Sequence, residues 1–536
     1  MKKKTKKILI ILLSVIVVLI IAYVIVNRIA SNKIRDKIDE VIEKTQLSDY
    51  VISIGRVNVN LLSREVILKD VKFITDTTTQ TDRLDVHAAK IRIDGVHYSD
   101  LIASNELVIE HFELIDPEIR LNGKVDFKSK QKDTAQSNQL KSLLIKKLKC
   151  EKGRLVLEKQ KIELLKLEGI DFVFSDVFAN LKKAFNIDSL YRDGEIVISA
   201  FSHKTNDGMY LISGGAVKLN HDDSTISLND IKINPQYEKY TFSEKLGYQT
   251  DRFDIGIPEV YIRKFNIKKM IKEGTVEVEK ISSGKLRADI FRNKQIARPE
   301  GHRPLLPQQA LRKIPFKLLL DTLQMDHLYL KYSEHVPHAE EAGYVEFDPM
   351  NMLFVNINND PGFFGVPNRV SLFATGSLMG SALARVRVYI PVYHPADTFF
   401  FSGSLDPPFE IAKLNTILTP NQNARINSGT IDKLVFEGSA NNVHSSGEVT
   451  FLYHDLNITV MEKETEKQGD EKKFYSFVMN RLLRSNNPVG NKKPLIAEMY
   501  FERDMEKSAI NFLWKSLYSG VKATITPGKK NLRREK

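Results

Sequence analysis

The stretch Leu84–Leu121, LDVHAAKIRIDGVHYSDLIASNELVIEHFELIDPEIRL, dominates the sequence because the chain contains it twice. A gapless shift of 169 positions turns it into Phe253–Ile290, FDIGIPEVYIRKFNIKKMIKEGTVEVEKISSGKLRADI, with few identities but the same apolar positions. The shared apolar positions are Leu84, Val86, Ile91, Ile93, Leu107 and Ile109 in the first copy and Phe253, Ile255, Val260, Ile262, Val276 and Val278 in the second. Alternation of apolar and polar residues has the period of a β-strand, so we predict repeated β-modules.

Both copies change the phase of this alternation at the same place, after Ala88 and after Ile257. A period of two that skips one residue is typical of a β-bulge or a bend, and Pro258 suits a bend. A shorter theme, an alternating strand interrupted by a polar residue or glycine, occurs three times. It occurs at Val66–Phe73, Leu165–Phe172 and Ile226–Ile233.

Further strands and a few short helices are predicted outside the duplicated stretch. Val386, Val388 and Ile390 alternate with polar residues, which indicates a strand with one apolar face and one face in water. Helical spacing of apolar residues, or their clustering, predicts short helices at Val177–Ile187, Phe409–Leu418, Phe474–Leu482 and Ile510–Leu517. We expect Ser519-Gly520 to end the last of these helices, because glycine is common just past a helix C-terminus.

Charge and composition exclude several classes of protein. The net charge is +12, but five lysines lie in residues 2–7 and five basic residues lie among the last eight, so the middle of the chain is nearly balanced. A nucleic-acid-binding stripe is therefore not indicated. The single cysteine, Cys150, excludes a disulfide framework and a zinc ribbon. We interpret it as a partly buried strand residue, with a slightly activated thiol as the alternative.

The N-terminus predicts a membrane anchor. Residues 8–26 contain no charged residue and would span roughly 28 Å as a helix, close to the ~30 Å hydrocarbon core of a bilayer. A cleaved signal peptide is the alternative, but its apolar region is shorter and a small-residue cleavage site follows it. The lysines before the span favour a cytoplasmic N-terminus, with the bulk of the chain across the membrane.

These observations predict the following organisation. A basic N-terminus (1–7), a transmembrane helix (8–26) and a stalk helix (27–46) precede two β-groove regions (47–291 and 310–461) joined by a proline-containing basic linker (292–309). A charged linker (462–473), terminal helices and strands (474–526) and a basic tail (527–536) follow.

Motifs for catalysis or cofactor binding are missing from the sequence. It contains no G-x-S-x-G nucleophile elbow, no phosphate-binding P-loop and no H-E-x-x-H. The candidate metal ligands are His335, His338 and Glu340, but we favour a solvated loop for this proline-containing segment. We therefore predict no enzyme activity, no cofactor and no metal.

A sheet with one apolar face must bury that face against something. The predicted helices are too few and too short to cover all the strands, so we predict an elongated, curled antiparallel sheet whose apolar side lines a groove. A monomer does not leave more than a few hundred Å² of apolar surface in water, and acyl chains are the expected occupant beside a membrane anchor. The lining candidates are the twelve duplicated positions together with Val386, Val388 and Ile390.

The sequence resembles the AsmA-like family of bacterial envelope proteins, part of the AsmA/TamB superfamily. The resemblance is carried by the basic N-terminus and single anchor, by HFELIDPEIRLN and by GTIDKLVFEGSANNVHSSGEVTFLYHDLNITV. The segments LPQQALRKIPFKLLLDTLQMDHLYLKYSEHVPHAEEAGYVEFDP and PLIAEMYFERDMEKSAINFLWKSLYSGVKATI resemble uncharacterised members from Bacteroidota-type genomes. The resemblance implies an inner-membrane anchor, a periplasmic repeating β-groove and a role in outer-membrane lipid homeostasis.

Three functions follow as hypotheses. The first is an anchored periplasmic protein that binds phospholipid or another acyl lipid and moves it between the inner and outer membranes. The second is a non-conducting envelope scaffold or outer-membrane assembly factor that holds an outer-membrane or periplasmic protein partner. The third, which we rank last, is an anchored enzyme that uses the histidine cluster.

Overall fold

The structure is a computed structural model. It describes residues 23–36, 50–75, 83–122, 141–159, 162–180, 191–362, 369–460, 483–527 and 532–534. Two compact units are present: the first comprises residues up to Asn206 together with Ser213–Asp223, and the second comprises Asp207–Ile212 and the chain from Ser224 onward. The predicted fold class, mainly β with a few helices, is confirmed, with 61% strand and 16% helix.

The first unit is built around one run of paired strands. Its helices are α1 (23–36) and α2 (Tyr98–Ser104). Its strands are β1 (Tyr50–Asn60), β2 (Glu65–Thr75), β3 (Arg83–Val96), β4 (Glu106–Asn122), β5 (Ser142–Lys159), β6 (Ile162–Asn180), β7 (Asp193–Lys204) and β9 (Val217–Asn220); the chain passes between the units within β8 (Tyr210–Gly214). From β1 to β7 each strand pairs with the next, and β9 pairs with β7.

The second unit contains the remaining elements. Its helices are α3 (Lys239–Leu246), α4 (Ile267–Glu273), α5 (Pro307–Arg312), a 3-10 helix (Ile411–Leu414), α6 (Asn415–Gln422) and α7 (Ala509–Ile525). Its strands are β10 (Thr225–Pro235), β11 (Asp251–Arg263), β12 (Thr275–Gly284), β13 (Arg287–Asn293), β14 (Lys317–His335), β15 (Gly343–Asn358), β16 (Arg369–Leu378), β17 (Ala382–Pro391), β18 (Phe399–Leu405), β19 (Phe409–Glu410), β20 (Ala424–Ala440), β21 (His444–Val460), β22 (Leu495–Glu502) and β23 (Leu532–Arg534).

The predicted duplication corresponds to a repeated strand–helix–strand module. In the first copy β3, α2 and β4 follow one another, with β3 and β4 antiparallel. In the second copy β11, α4 and the pair β12 and β13 are arranged in the same way. The gapless shift also relates the helix boundaries, because the N-caps are His97 and Asn266 and the left-handed C-caps are Asn105 and Gly274.

The strands are not all antiparallel, so this part of the prediction was wrong. β4 pairs with β5 in parallel, and β12 and β13 both pair with β14 in parallel. The parallel pair follows the strand–helix–strand module in both copies. Alternation of apolar residues is the same in parallel and antiparallel strands, which is why the sequence pattern could not distinguish them.

The predicted phase change is confirmed, and it is shared between neighbouring strands. The ladder between β2 and β3 skips Asp70 and Ala89, and the ladder between β10 and β11 skips Asp230 and Pro258, with unchanged register on either side. Asp70 and Asp230 have positive φ values of 54° and 52°. Because paired strands change phase together, the apolar residues stay on the same face past the interruption.

The N-terminal predictions fall partly outside the described residues. Residues 1–22 and 37–49 lie outside them, and with them lie most of the predicted span and part of the predicted stalk helix. Among the helices that are described, none is long and apolar enough to cross a membrane. α1 caps the edge of β1, because Ser31 Oγ accepts a hydrogen bond from the Val59 amide at 2.9 Å.

Several local predictions were wrong in whole or in part. Val177–Asn180 continue β6 instead of forming a helix, and residues 181–187 of that prediction lie outside the described residues. The helix predicted at Phe409–Leu418 is present from Ile411 onward, but Phe409 and Glu410 form strand β19. α7 does not end at Gly520 but continues to Ile525. Gly520 lies against the sheet, where a Cβ atom would be only 2.4 Å from Cγ1 of Val449.

Other predicted segments have a mixed outcome. The basic linker (292–309) lies within the second unit, where Leu306 is fully buried and Pro307 begins α5. The charged linker (462–473) and the helix at Phe474–Leu482 lie outside the described residues.

Candidate functional site

One face of the first unit carries rows of apolar side chains that run across seven or eight of its strands. The longest row crosses eight strands, and every member is directly paired with the next. Its members are Val57, Leu68, Ile91, Leu114, Cys150, Phe172, Ile196 and Leu219. At about 4.8 Å between strands, this row extends over roughly 34 Å.

Two neighbouring rows extend the same face. One consists of Ile52, Phe73, Val86, Ile119, Leu155, Leu167 and Phe201, and the other of Val59, Val66, Ile93, Phe112, Leu148, Phe174 and Gly194. The glycine that ends the second row leaves room for an aromatic ring, because a Cβ atom on Gly194 would lie 2.1 Å from Cδ1 of Phe174. We call these three rows the apolar face.

The opposite face of the same strands is charged. One row across it consists of Lys72, His87, Glu118, Arg154, Glu168 and Ala200. Ion pairs cross between strands, with Arg120 Nη1 3.1 Å from Glu158 Oε1 and Lys149 Nζ 3.2 Å from Glu113 Oε1. A hydrogen bond from Lys166 holds the pKa of Glu168 below its ordinary value. This face is suited to water, so the two faces of the sheet have opposite chemistry.

The apolar face is only partly buried. In its longest row Val57 and Cys150 are buried, at 7% and 3% exposure, and the other six members are of intermediate exposure. Among the described residues of the first unit, the main contacts between elements β1 to β9 are between paired strands, apart from α2 packing on β4. The described residues therefore include no second layer of strands over this face.

The six predicted lining residues of the first copy all belong to this side of the sheet. Val86, Ile91 and Ile93 are members of the three rows. Leu84 pairs with Leu121, and Leu107 and Ile109 pair with Leu143 and Ile145, so these residues lengthen the rows toward both strand ends. Sequence reasoning missed the contributions of β1, β2, β5, β6, β7 and β9, although the alternating themes at Val66–Phe73 and Leu165–Phe172 were signals for β2 and β6.

The second copy occupies the second unit and is less uniformly apolar. Phe253 pairs with Ile290 and Ile262 pairs with Ile281, but Val260 pairs with Ser283. The remaining lining candidates of this copy differ in burial: Val278 is 5% exposed, Ile255 packs on the small cluster of Leu286, Ala288 and Leu328, and Val276 pairs with Leu318.

Val386, Val388 and Ile390 lie in β17, in a closed core of the second unit. Val388 and Ile390 are 6% and 8% exposed and belong to the same buried cluster as Phe399, and Val386 packs against that cluster. Protein side chains already cover these three residues, so we do not include them in the candidate surface.

The structure does not bring the candidate metal ligands together. His335 is buried, and its Nδ1 atom lies 2.8 Å from the hydroxyl of Tyr240. Its Nε2 atom lies 2.9 Å from the carbonyl oxygen of Ala339. His338 and Glu340 follow in the turn after β14. The part of the chain that the structure describes contains no group of three or more His, Cys, Asp or Glu residues able to hold a metal ion.

Cys150 is a packing residue within the longest row. Burial raises the pKa of its thiol to about 11, and Sγ lies 3.5 Å from the carbonyl oxygen of Ile170. The thiolate is the reactive form of cysteine, so this thiol is not activated at neutral pH.

Comparison with known proteins adds no relative: no protein-family model matches this chain, and no curated protein matches it.

Proposed function

We propose that this protein binds the acyl chains of phospholipid, or of another acyl lipid, on the apolar face of the first unit. The observation that supports the proposal is the row of eight paired apolar residues, which crosses the sheet and is partly exposed. The N-terminal apolar span supports a membrane-anchored chain that exchanges lipid with the bilayer beside it.

The physical driving force is the transfer of apolar surface out of water. Burial contributes about 25 cal/mol per Å², or about 0.8 kcal/mol for each methylene of an acyl chain. The rows contain no charged side chain, so a hydrocarbon chain laid along them meets no unpaired ion. The charged face of the same strands remains in water, which keeps the sheet soluble while its other side is occupied.

The cellular role we propose rests on the resemblance to AsmA-like proteins and on the basic, apolar N-terminus. In this proposal the protein is anchored in the bacterial inner membrane with its N-terminus in the cytoplasm and its β-modules in the periplasm. There it contributes to phospholipid transport or homeostasis between the inner and outer membranes.

The test compares two adjacent residues that point to opposite faces. Val86 lies in an apolar row, and His87 lies in the charged row of the same strand. The full chain is purified in a mild detergent from its own membranes, and bound lipid is counted by native mass spectrometry and by extraction. We expect several lipids per chain in the unchanged protein, a clear loss in Val86→Lys, and no loss in His87→Lys.

Circular dichroism and thermal unfolding of both variants show whether they fold. If the unchanged protein carries no acyl lipid, or if a folded Val86→Lys variant retains all of it, the proposal is wrong. In that case the second hypothesis, a non-conducting scaffold that holds a protein partner through its sheet edges and terminal helices, takes its place.

A further inference from the structure

The C-terminal helix α7 has two apolar sides, of which only one is covered by the protein. Its inner side contacts β21 and β22 and buries Phe512, Ser516, Gly520, Ala523 and Thr524. Its outer side carries Ile510, Trp514 and Tyr518, which are 80%, 52% and 40% exposed. Residues four apart lie above one another on a helix, so these three side chains form one stripe, which we call the outer stripe.

The charges around the outer stripe are all of one sign along the helix. Ala509–Ile525 contains no acidic residue, and its two charged side chains are Lys515 and Lys522. Both lysines project from the side adjacent to the stripe, at helical angles of about 120–140° from Ile510. Lys515 Nζ lies 5.6 Å from the ring centroid of Tyr518. The acidic residues that precede the helix are Glu506 and Asp504, and both lie outside it. Asp504 Oδ2 forms an ion pair with Lys507 Nζ at 2.8 Å.

The protein holds this helix firmly in place. Ser508 caps its N-terminus by accepting a hydrogen bond from the Asn511 amide, and Ser516 is hydrogen-bonded to Ser445 at 2.5 Å. Arg484 donates to the carbonyl oxygens of Thr524 and Thr526 at 2.8 and 3.1 Å at the C-terminus. The stripe is thus presented as a rigid ridge and not as a loose segment.

We propose that the outer stripe of α7 docks on the surface of an anionic lipid bilayer. Tryptophan and tyrosine prefer the membrane–water interface because their rings are apolar and their N–H and O–H groups remain hydrated. Isoleucine enters the acyl boundary, and the lysines beside it meet anionic headgroups. A single exposed ridge with one positively charged flank complements a soft, flat, negative surface, whereas a protein partner requires a matching groove. This inference is independent of lipid binding by the first unit.

Trp514 makes the test direct, because it is the only tryptophan in the chain. The full chain is placed in nanodiscs of phosphatidylcholine, and vesicles of phosphatidylcholine with or without phosphatidylglycerol are then added. We expect Trp514 emission to shift to shorter wavelength and to be quenched by brominated acyl chains only when the vesicles are anionic. Attachment through the N-terminus alone leaves this emission unchanged.

The variants separate the apolar and the electrostatic contributions. Ile510→Ser is expected to abolish the quenching. The double variant Lys515→Gln/Lys522→Gln is expected to weaken vesicle binding about 30-fold at low salt, because it removes two positive charges near the membrane surface. The matched control is Ile271→Ser on α4, another helix of the same unit, where the isoleucine is 51% exposed. It is expected to leave the signal unchanged.

Thermal unfolding checks that each variant is folded. We expect the variants to fold, because none of the substituted side chains is buried. Unchanged Trp514 emission on addition of anionic vesicles overturns the proposal. Equal responses to neutral and anionic vesicles overturn it as well. Lipid carried by the first unit is counted separately in the same preparations, so failure of this inference and failure of the proposed function are distinguishable.

Discussion

Two regions of this protein use the same sequence pattern and reach different degrees of burial. In the first unit, alternating strands present rows of apolar side chains that are mostly of intermediate exposure. In the second unit, β16 to β22 bury theirs in one cluster that contains Val449, Phe451 and Phe512, at 0%, 4% and 2% exposure. The difference is the covering layer: α7 packs on β21 and β22, whereas the helices in the described part of the first unit are α1, which contacts β1, and the seven-residue α2, which contacts β4.

The difference shows that a strand pattern alone does not determine whether a face is core or binding surface. An apolar face is stable when something removes it from water, and a helix of the same chain or an external hydrocarbon serves equally in that respect. Substitutions that act on one region and not on the other therefore test this difference in burial.

The largest effect is expected from removing an aromatic side chain from the closed core. Phe512→Ala should lower the free energy of unfolding of that region by about 3–5 kcal/mol, through lost burial and the cavity left behind. Phe172→Ala, in the apolar face, should cost less than half as much in delipidated protein. Hydrogen exchange of the amides in β21 and in β6 measures the two values. Equal losses would mean that the two faces are equally buried.

The second effect concerns the reactivity of Cys150, the only cysteine of the chain. Its thiol pKa is raised from 9.0 to about 11, mainly by burial, so the thiolate population at pH 8 is about 100-fold lower than for a free thiol. Alkylation by iodoacetamide should be slower by about that factor and should rise tenfold per pH unit up to pH 11. The raised pKa stabilises the fold below pH 9, and this contribution is lost as the pH rises through 11. Alkylation at the rate of a free cysteine would contradict the burial of this row.

The third effect tests how closely α7 approaches the sheet. Gly520→Ala places a Cβ atom 2.4 Å from Cγ1 of Val449 and 2.8 Å from Cγ of Met499. We expect the free energy of unfolding to fall by about 1–2 kcal/mol, because the cost of overpacking exceeds the gain from the higher helix propensity of alanine. Thermal unfolding measures it, and Gly284→Ala is the control, since a Cβ atom at that position would have no neighbour within 4 Å. Stabilisation by Gly520→Ala would show that the helix has room to move.

The smallest effect is expected on the charged face of the first unit. Glu113→Gln removes a partner of Lys149 at 3.2 Å and of Arg92 at 3.9 Å. Partly exposed pairs contribute about 0.2–1 kcal/mol and are screened by salt. Denaturant unfolding at low and high ionic strength measures this loss of stability. We expect the lipid content to be unchanged, whereas a loss of lipid would assign this face a role in binding.

Part of the fold could be read from the residues because it depends on local pattern. The shift of 169 positions predicted a repeated module, and in the structure it relates even the caps of α2 and α4. The phase changes after Ala88 and Ile257 correspond to skipped ladder positions. Lining residues of the first copy share one face because side chains alternate with a period of two on either side of each skipped ladder position.

Other features depended on contacts between residues far apart in the chain. The end of α7 was predicted wrongly because Gly520 is required by Val449 across the sheet and not by a turn. The sequence favoured a solvated loop around His335, but this side chain is buried and Tyr240, 95 residues earlier, is its partner. The parallel pairing of β4 and β5 was missed because the alternation of apolar and polar residues does not depend on strand direction.

Local periodicity in the amino-acid sequence predicts most of the strands, the apolar face of each strand and the position of the repeated module. The burial of Val388 and the partial exposure of Val86 follow from contacts between distant segments, because coverage depends on whether a distant helix packs over the strand. Whether an apolar side chain is buried depends on what packs against it, and the proposed experiments identify what packs against the apolar face.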